Sequence, residues 1–391
     1  MNSMEDVDVE SETVLLRTDL NLPIEDGEPQ PTVRFRRYME TVRELSERGA
    51  RTVVLAHQGR PARDDFLSLE QHSGLMSDHM DREVGFVRCF FGSEVGESIA
   101  SMEDGDVVLL ENMRFLSEEL QNISPERHAQ DYFVNNLKRY FDLYVNDAFS
   151  AAHRSHGSIV GFNRDLDCYA GPIMESELEN CRKVRDEFDS GLLVVGGEKP
   201  SDIVGMLEEM IDTVDQVLMG GIPGELALMI QGNELGEKTE WIRERGFDSK
   251  EKELRELLDE HGDKITLPED VRSGSGNHEV GEVPEDETVW DIGETTQEKF
   301  VREIEEADSV VMKGPVGAFD EGHEDGTRAV VSAIAESDSY AVLGGGHTSS
   351  LVQRYGYELE DFSHVSIAGG AFVRFMSGED LAAVEALRKY S

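Results

Sequence analysis

The sequence predicts an α/β fold made of two doubly wound, parallel-sheet (Rossmann-like) domains. Short β-branched runs alternate with amphipathic helical stretches along the whole chain, the rhythm of βαβ units. At 391 residues the chain exceeds one hydrophobic core, since single cores rarely grow past ~250–300 residues. The strands also end in two ways: on Arg, His, Asp and Asn in the first half, and on glycines in the second.

In the first half TVLLRT (13–18), RTVVLA (51–56), DVVLLE (106–111) and FDLYV (141–145) read as strands, with helix-like stretches at 33–48, 66–79 and 125–138. The helix-like run 173–189 reads either as an interdomain connector or as an ordinary domain helix. Taken as a connector, it sets an N-terminal domain at 1–165, an interdomain helix at 166–190 and a C-terminal domain at 191–378. Strand patterns resume with LLVV (192–195), QVLM (216–219), KITL (264–267), TVWDI (288–292), DSVVM (308–312), YAVL (340–343) and HVSI (364–367). The acidic stretches 232–263 and 273–287 read as solvated loop and helix surface.

Charge narrows the function. With 82 Asp and Glu against 37 Lys and Arg, the net charge is −45. That excludes a general nucleic-acid or anionic-membrane surface, either of which needs a basic face. The acid is spread along the chain and 27 Arg outnumber 10 Lys, a composition suited to molar salt, where the Debye length is only ~3 Å. Three cysteines without metal or redox spacing predict a reduced, intracellular protein. The acidic N-terminus and the absence of any stretch of 18 apolar residues predict neither signal peptide nor membrane span, hence a soluble, cytoplasmic chain.

Scarce positive charge is then informative where it gathers: in LLRTDLNLP (15–23), AHQGRP (56–61), LLENMRF (109–115) and NDAFSAAHRSH (146–156), all closing strands. Ligands of open α/β sheets bind beyond the carboxyl ends of strands, so these patches predict a phosphate- or carboxylate-bearing substrate. Any one of Arg17, Arg34, Arg60, Arg114 and Arg154 taken alone is better read as pairing with a surface acid. Arg60, Arg114 and Arg154 together, each closely following an apolar strand, read as guanidinium forks for an anion. His57 and His153 read as core histidines or as members of the same loops. Asp19 and Asn21 offer acceptors to a polyol hydroxyl, or else form an Asx turn before Pro23.

In the second half GGEK (196–199), GGIPG (220–224), KGPVG (313–317), GGGH (344–347) and AGGA (368–371) allow backbone amides close to a phosphate. A GG pair alone serves tight turns as often. Lys199 follows a strand and two glycines and is placed to reach a phosphate. Complete GxGxxG and GxxxxGK[ST] fingerprints are missing, which argues against a dinucleotide oxidoreductase and a P-loop enzyme.

Taken in order, these patches resemble phosphoglycerate kinase over nearly the whole chain. RTDLNLP resembles the family's R-x-D-x-N-x-P, HQGRP its H-x-G-R-P, LLENMRF its L-L-E-N-x-R-F and NDAFSAAHRSH its D-A-F-x-x-A-H-R-x-H. GGEKPSD, WDIGETT, KGPVGAFD, GGGHTSS and HVSIAGGA follow in family order. The resemblance implies two domains facing a cleft, 3-phosphoglycerate or 1,3-bisphosphoglycerate on the first, Mg2+ with ATP or ADP on the second, and a segment near 379–391 returning to the first. It implies hinge closure between the two domains; a monomer is expected, and the charge already argues against nucleic-acid and membrane partners.

By the resemblance, Asp19, Asn21, Arg34, His57, Gln58, Gly59, Arg60, Arg114 and Arg154 are substrate-binding positions. Arg34, Lys199, Gly369 and Gly370 are catalytic ones, holding the phosphoryl group in flight. Lys199, Lys313, Asp320, Gly344, Gly345, Gly346, His347 and Thr348 are nucleotide-binding. Departures stand at the nucleotide end: His347 replaces the family's metal-approaching Asp, which leaves the magnesium ligands unassigned, and Ile203 replaces a second lysine. Lys313, where many members have Asn, is expected to restore that charge, and Asp320 stands where the family commonly has the Glu that meets the ribose. The rival readings are a kinase for another phosphorylated acid and a catalytically inactive metabolite-binding protein of the same fold.

Overall fold

A computed structural model describes residues 1–187, 191–345 and 348–391. The chain forms two compact units, Met1–Glu179 with Asp380–Ser391, and Asn180–Glu379. The first is built on six strands: β1 (Thr13–Arg17), β2 (Arg51–Leu55), β3 (Val84–Val87), β4 (Val107–Leu110), β5 (Leu143–Asn146) and β6 (Asp167–Ala170). They lie in the order β3-β4-β2-β1-β5-β6, all parallel. Central β1 is buried throughout, as expected of a parallel strand covered on both faces. From β1 the chain builds outward on one side and returns to add β5 and β6 on the other. The topological switch therefore lies between β1 and β5, where Arg17 is in register with Asn146.

Helix α1 (Val33–Glu47) is capped by Thr32, whose hydroxyl accepts from the Phe35 N–H at 3.2 Å. Phe35, Tyr38, Met39, Val42 and Leu45 form its buried stripe. Strands β3 and β6 are short edge strands without a distinctive run. The interval 166–190, read from sequence as a connector, in fact opens with β6, and its helix α2 (Pro172–Glu187) starts only afterwards. That helix carries the chain from the first unit into the second.

The second unit repeats the architecture with β7 (Leu192–Val195), β8 (Gln216–Met219), β9 (Ile265–Thr266), β10 (Ser309–Lys313), β11 (Tyr340–Gly344) and β12 (His364–Val365). Their order is β9-β8-β7-β10-β11-β12, again parallel. Its switch point lies between β7 and β10, where Val195 is in register with Lys313. TVWDI does not join this sheet. Only Asp291–Ile292 is strand, in a separate antiparallel sheet with Asp270–Ser273 and Gly276–Glu279. Val289 instead packs into a satellite apolar cluster with Leu228, Leu235 and Val271.

Of the two acidic stretches, 232–263 holds helices Glu237–Glu244 and Glu251–His261. It also buries Lys238 beside Glu225, 3.5 Å away. The last helix, Ala382–Tyr390, lies in the first unit, where the Ala383 N–H donates to the Ala152 carbonyl at 2.9 Å.

Candidate active site

In the first unit the basic patches meet around the end of β1. Arg17 is almost fully buried: its Nε donates to Ser158 Oγ at 2.9 Å, another nitrogen donates to the Thr18 carbonyl, and a third lies 2.7 Å from His57 Nδ1. Arg114 is also buried and donates to the Gly59 carbonyl. Arg60 is exposed at the mouth of the same loop, and Arg154 is half-buried. Gly59 has φ +66°, and a Cβ there would stand 2.2 Å from the Asp65 carbonyl oxygen, so the H-x-G-R-P loop requires glycine.

Asp19 and Asn21 combine the two sequence readings. Asp19 Oδ1 accepts from the Asn21 N–H at 2.8 Å, an Asx turn. Its other oxygen accepts from Ser150 Oγ and faces Arg34 Nη1 at 3.6 Å. Arg34 also donates to the Asn21 carbonyl at 3.1 Å, and Asn21 Oδ1 accepts from the Gly59 N–H at 2.8 Å. Asp19 is thus an organiser that aims Arg34 rather than an open acceptor. Gln58 is wholly enclosed, its amide engaged with the Leu22 backbone, the Asp65 carbonyl and His72. It braces the loop and does not line a surface.

The electrostatics of this cluster are one-sided. Burial first, then Arg17, Arg114 and Arg154, hold His57 well below its usual pKa. Burial together with Arg154, Arg114 and Arg17 lowers His156 to about 3. Arg114 is itself lowered to about 10, by burial and then by Arg154 and Arg17. Asp19 stays ionised: burial pushes it up, but Arg34, Ser150 and the Asn21 N–H outweigh that. Buried Glu119, which accepts from Ser158 N and Oγ at 2.6 Å each, is raised by burial and lowered by Arg17. Cations crowded enough to depress one another form a site for an anion. Arg17 and His156 belong to this cluster although the sequence reading did not select them. The signal was the last His of NDAFSAAHRSH and the Arg closing β1.

In the second unit three glycine loops meet at the switch point by backbone contact. The Gly197 N–H donates to the Pro315 carbonyl at 2.7 Å, Gly221 N–H to Val316 at 2.9 Å and Ile222 N–H to Gly197 at 3.1 Å. A Cβ on Gly196 would stand 2.2 Å from the Pro315 oxygen. Lys313 projects among these loops: a Cβ on Gly197 would lie 3.9 Å from its Nζ. Burial lowers its pKa, Asp202 opposes and exposed Lys199 adds to the lowering, so both lysines share one neighbourhood. Ile203 is fully buried in helix α3 (Pro200–Met210), a core position.

Gly344 packs its Cα against Phe372, and Thr348 Oγ1 donates to the Gly344 carbonyl at 3.2 Å. Gly345 follows with φ +132°, while Gly346 and His347 lie outside the described residues. Gly369 and Gly370 open helix α4 (Gly369–Met376), whose first N–H groups have no acceptor within the helix. Asp320 is exposed on the short turn Phe319–Glu321. Among the described residues no three His, Cys, Asp or Glu side chains converge on a metal position. No described helix is long and apolar enough to cross a membrane.

Two doubly wound units, one with a cationic cluster and one with glycine loops at its switch point, define an α/β enzyme that handles anionic substrates. The phosphoglycerate kinase model matches residues 4–379. The phosphoglycerate kinase of Halorubrum lacusprofundi is 46% identical over 387 residues, covering 96% of this chain and 95% of that one. That of Methanopyrus kandleri is 42% identical, covering 99% and 97%. The crystal structure of phosphoglycerate kinase from Pyrococcus horikoshii OT3 superposes with a TM-score of 0.93 at 34% identity, covering 99% of this chain and 98% of that one. The chain belongs to the phosphoglycerate kinase family.

Proposed function

We propose that the cationic cluster of the first unit binds 3-phosphoglycerate or 1,3-bisphosphoglycerate, and that the glycine loops of the second bind ADP or ATP, in the reversible transfer of a phosphoryl group between them. The observation that carries this is the gathering of Arg17, Arg114 and Arg154 with His57 and His156 at the carboxyl end of β1, where Arg17 lies 2.7 Å from His57 Nδ1 and Arg114 donates to the Gly59 carbonyl. A multiply charged anion is the ligand such a cluster fits.

Phosphoryl transfer needs alignment and charge stabilisation more than covalent help. Arg34, aimed by Asp19, and Lys199 hold the transferring group, and the free amides of Gly369 and Gly370 receive its oxygens at a helix N-terminus. Lys313 contributes the charge that buried Ile203 does not, Asp320 meets the ribose, and Thr348 and its glycines support the phosphates. Magnesium neutralises phosphate charge when bound. An ion held chiefly by nucleotide oxygens and water would suit its octahedral oxygen preference. Each unit carries one substrate, and closure about the connecting segment brings them into line. The enzyme works as a monomer in the cytoplasm, and its salt-rich setting is supported by the acid surplus and by similarity to the Halorubrum relative.

The test is a coupled assay of ATP with 3-phosphoglycerate in molar KCl. Turnover is expected for the parent chain and a loss of about 10²–10³-fold in kcat for Arg34→Ala with its fold intact, the range for removing one transition-state donor. A folded Arg34→Ala of normal kcat would remove the assignment.

A further inference from the structure

We propose that Asp147 is a positioning residue for the transfer: through Thr41 it fixes the helix that bears Arg34 against the first turn of the helix leading into the second unit. Asp147 is fully buried within NDAFSAAHRSH and touches three elements. Its N–H donates to the Arg17 carbonyl at 2.9 Å, tying it to the end of β1. One carboxylate oxygen accepts from the N–H groups of Ile173 (2.8 Å) and Met174 (3.0 Å), the start of α2. The other accepts from Thr41 Oγ1 on α1 at 2.6 Å.

The neighbours are shaped to this carboxylate. A Cβ on Gly171, the residue before α2, would stand 2.4 Å from it. Arg34, Tyr38 and Thr41 are spaced four and three along α1 and share one face. Arg34 at one end of that face reaches Asp19 and Asn21, and Thr41 at the other reaches Asp147. Capping α2 alone needs no buried acid, since Ser or Asn caps as well in the open. Burial pushes Asp147 up to about 7 while its three donors oppose, a costly group to enclose for a cap alone. A bridge between two helices accounts for it.

Reaction rates are sensitive to displacements of about 1 Å at the reacting atoms. A loosened contact between α1 and α2 therefore leaves binding largely intact and disturbs how Arg34 meets a phosphoryl group carried by the other unit. This step rests on the assignment of triose and nucleotide to separate units made above.

The experiment compares Thr41→Val, which keeps the shape and removes the hydroxyl, with Thr41→Ser, which keeps the hydroxyl. In molar KCl, with folding verified by circular dichroism, Thr41→Val is expected to lower kcat at least fivefold with both KM values within threefold of the parent. Thr41→Ser should lie within twofold of the parent throughout. A folded Thr41→Val of parental kcat, a loss wholly in KM, or a Thr41→Ser as impaired as Thr41→Val would overturn the proposal. If Thr41→Val does not fold, Thr41→Ala reads the same split, since it also removes the hydroxyl that donates to Asp147 and leaves the carboxylate serving the Ile173 and Met174 N–H groups. Absence of turnover in the parent chain would refute the assigned reaction itself and this proposal with it, whereas an altered pattern among variants alone refutes only the bridge.

Discussion

His156 sits 3.8 Å from Glu119 yet is held neutral, because burial and three arginines oppose its proton more strongly than one carboxylate favours it. The unfolded chain takes up that proton near pH 6.5, the folded one only near 3. Stability tied to His156 is therefore present above about 6.5 and lost as pH falls below it, by about 2 kcal/mol at pH 5. Buried Asp147 and Glu225, both raised to about 7, act in the opposite sense, because their folded forms hold protons that the unfolded chain releases. A comparison of two chains that differ only at His156 cancels them. His156→Asn should gain thermal midpoint relative to the parent between pH 7.5 and pH 5, and inorganic phosphate, by neutralising the arginines, should shrink the gain. A pH-independent difference would refute the account. Lys313 offers a parallel test at the other site: Lys313→Asn should raise the nucleotide KM or lower kcat tenfold or more while leaving the 3-phosphoglycerate KM unchanged. An unaltered enzyme would show that Lys199 suffices.

At the scale of elements, what is legible in sequence depends on how a segment is buried. Central strands covered on both faces are continuous apolar runs, so TVLLRT, RTVVLA, LLVV and DSVVM announce themselves. The edge strands Val84–Val87 and Asp167–Ala170 do not: one contains Gly85 and the other starts on an exposed Asp. TVWDI shows the converse failure, a strand-like pattern drawn away from the main sheet because Val289 packs into the satellite cluster and Asp291 is occupied as a cap. The Asp291 carboxylate accepts from the Gly326 and Ile292 N–H groups at 2.9 Å each. Arg60, Arg114 and Arg154 were readable because each closely follows a strand, whereas Arg34 lies on α1. The roles of Asp19 and Gln58 were not, since organising a neighbour and touching a ligand call for the same side chains. His156 and Thr41 act through contacts with residues far away in sequence, which spacing does not reveal.

At the scale of the whole molecule, the acid is unevenly shared. The first unit has 19 Lys and Arg against 37 Asp and Glu, a net −18; the second has 18 against 45, a net −27. Both are compact, so each pays electrostatic self-repulsion that only counterions relieve. Screening acts over ~3 Å at 1 M salt but ~30 Å at 0.01 M, where whole faces of a unit repel one another. Part of the cationic charge of the first unit is concentrated in its anion cluster, and its net charge is smaller; the second has no comparable relief. The second unit should therefore lose its packing first as salt is withdrawn. Both tryptophans belong to that unit, Trp241 tilted against Phe247 and Trp290 stacked on His323. Their emission reports on it alone, whereas ellipticity at 222 nm sums the helices of both. On stepwise dialysis from molar KCl toward millimolar salt, the tryptophan emission should shift to the red at a higher salt concentration than the midpoint of the ellipticity loss. Coincident transitions would mean that the two units lose structure together, and a cooperative fold surviving in millimolar salt would refute the dependence on screening altogether.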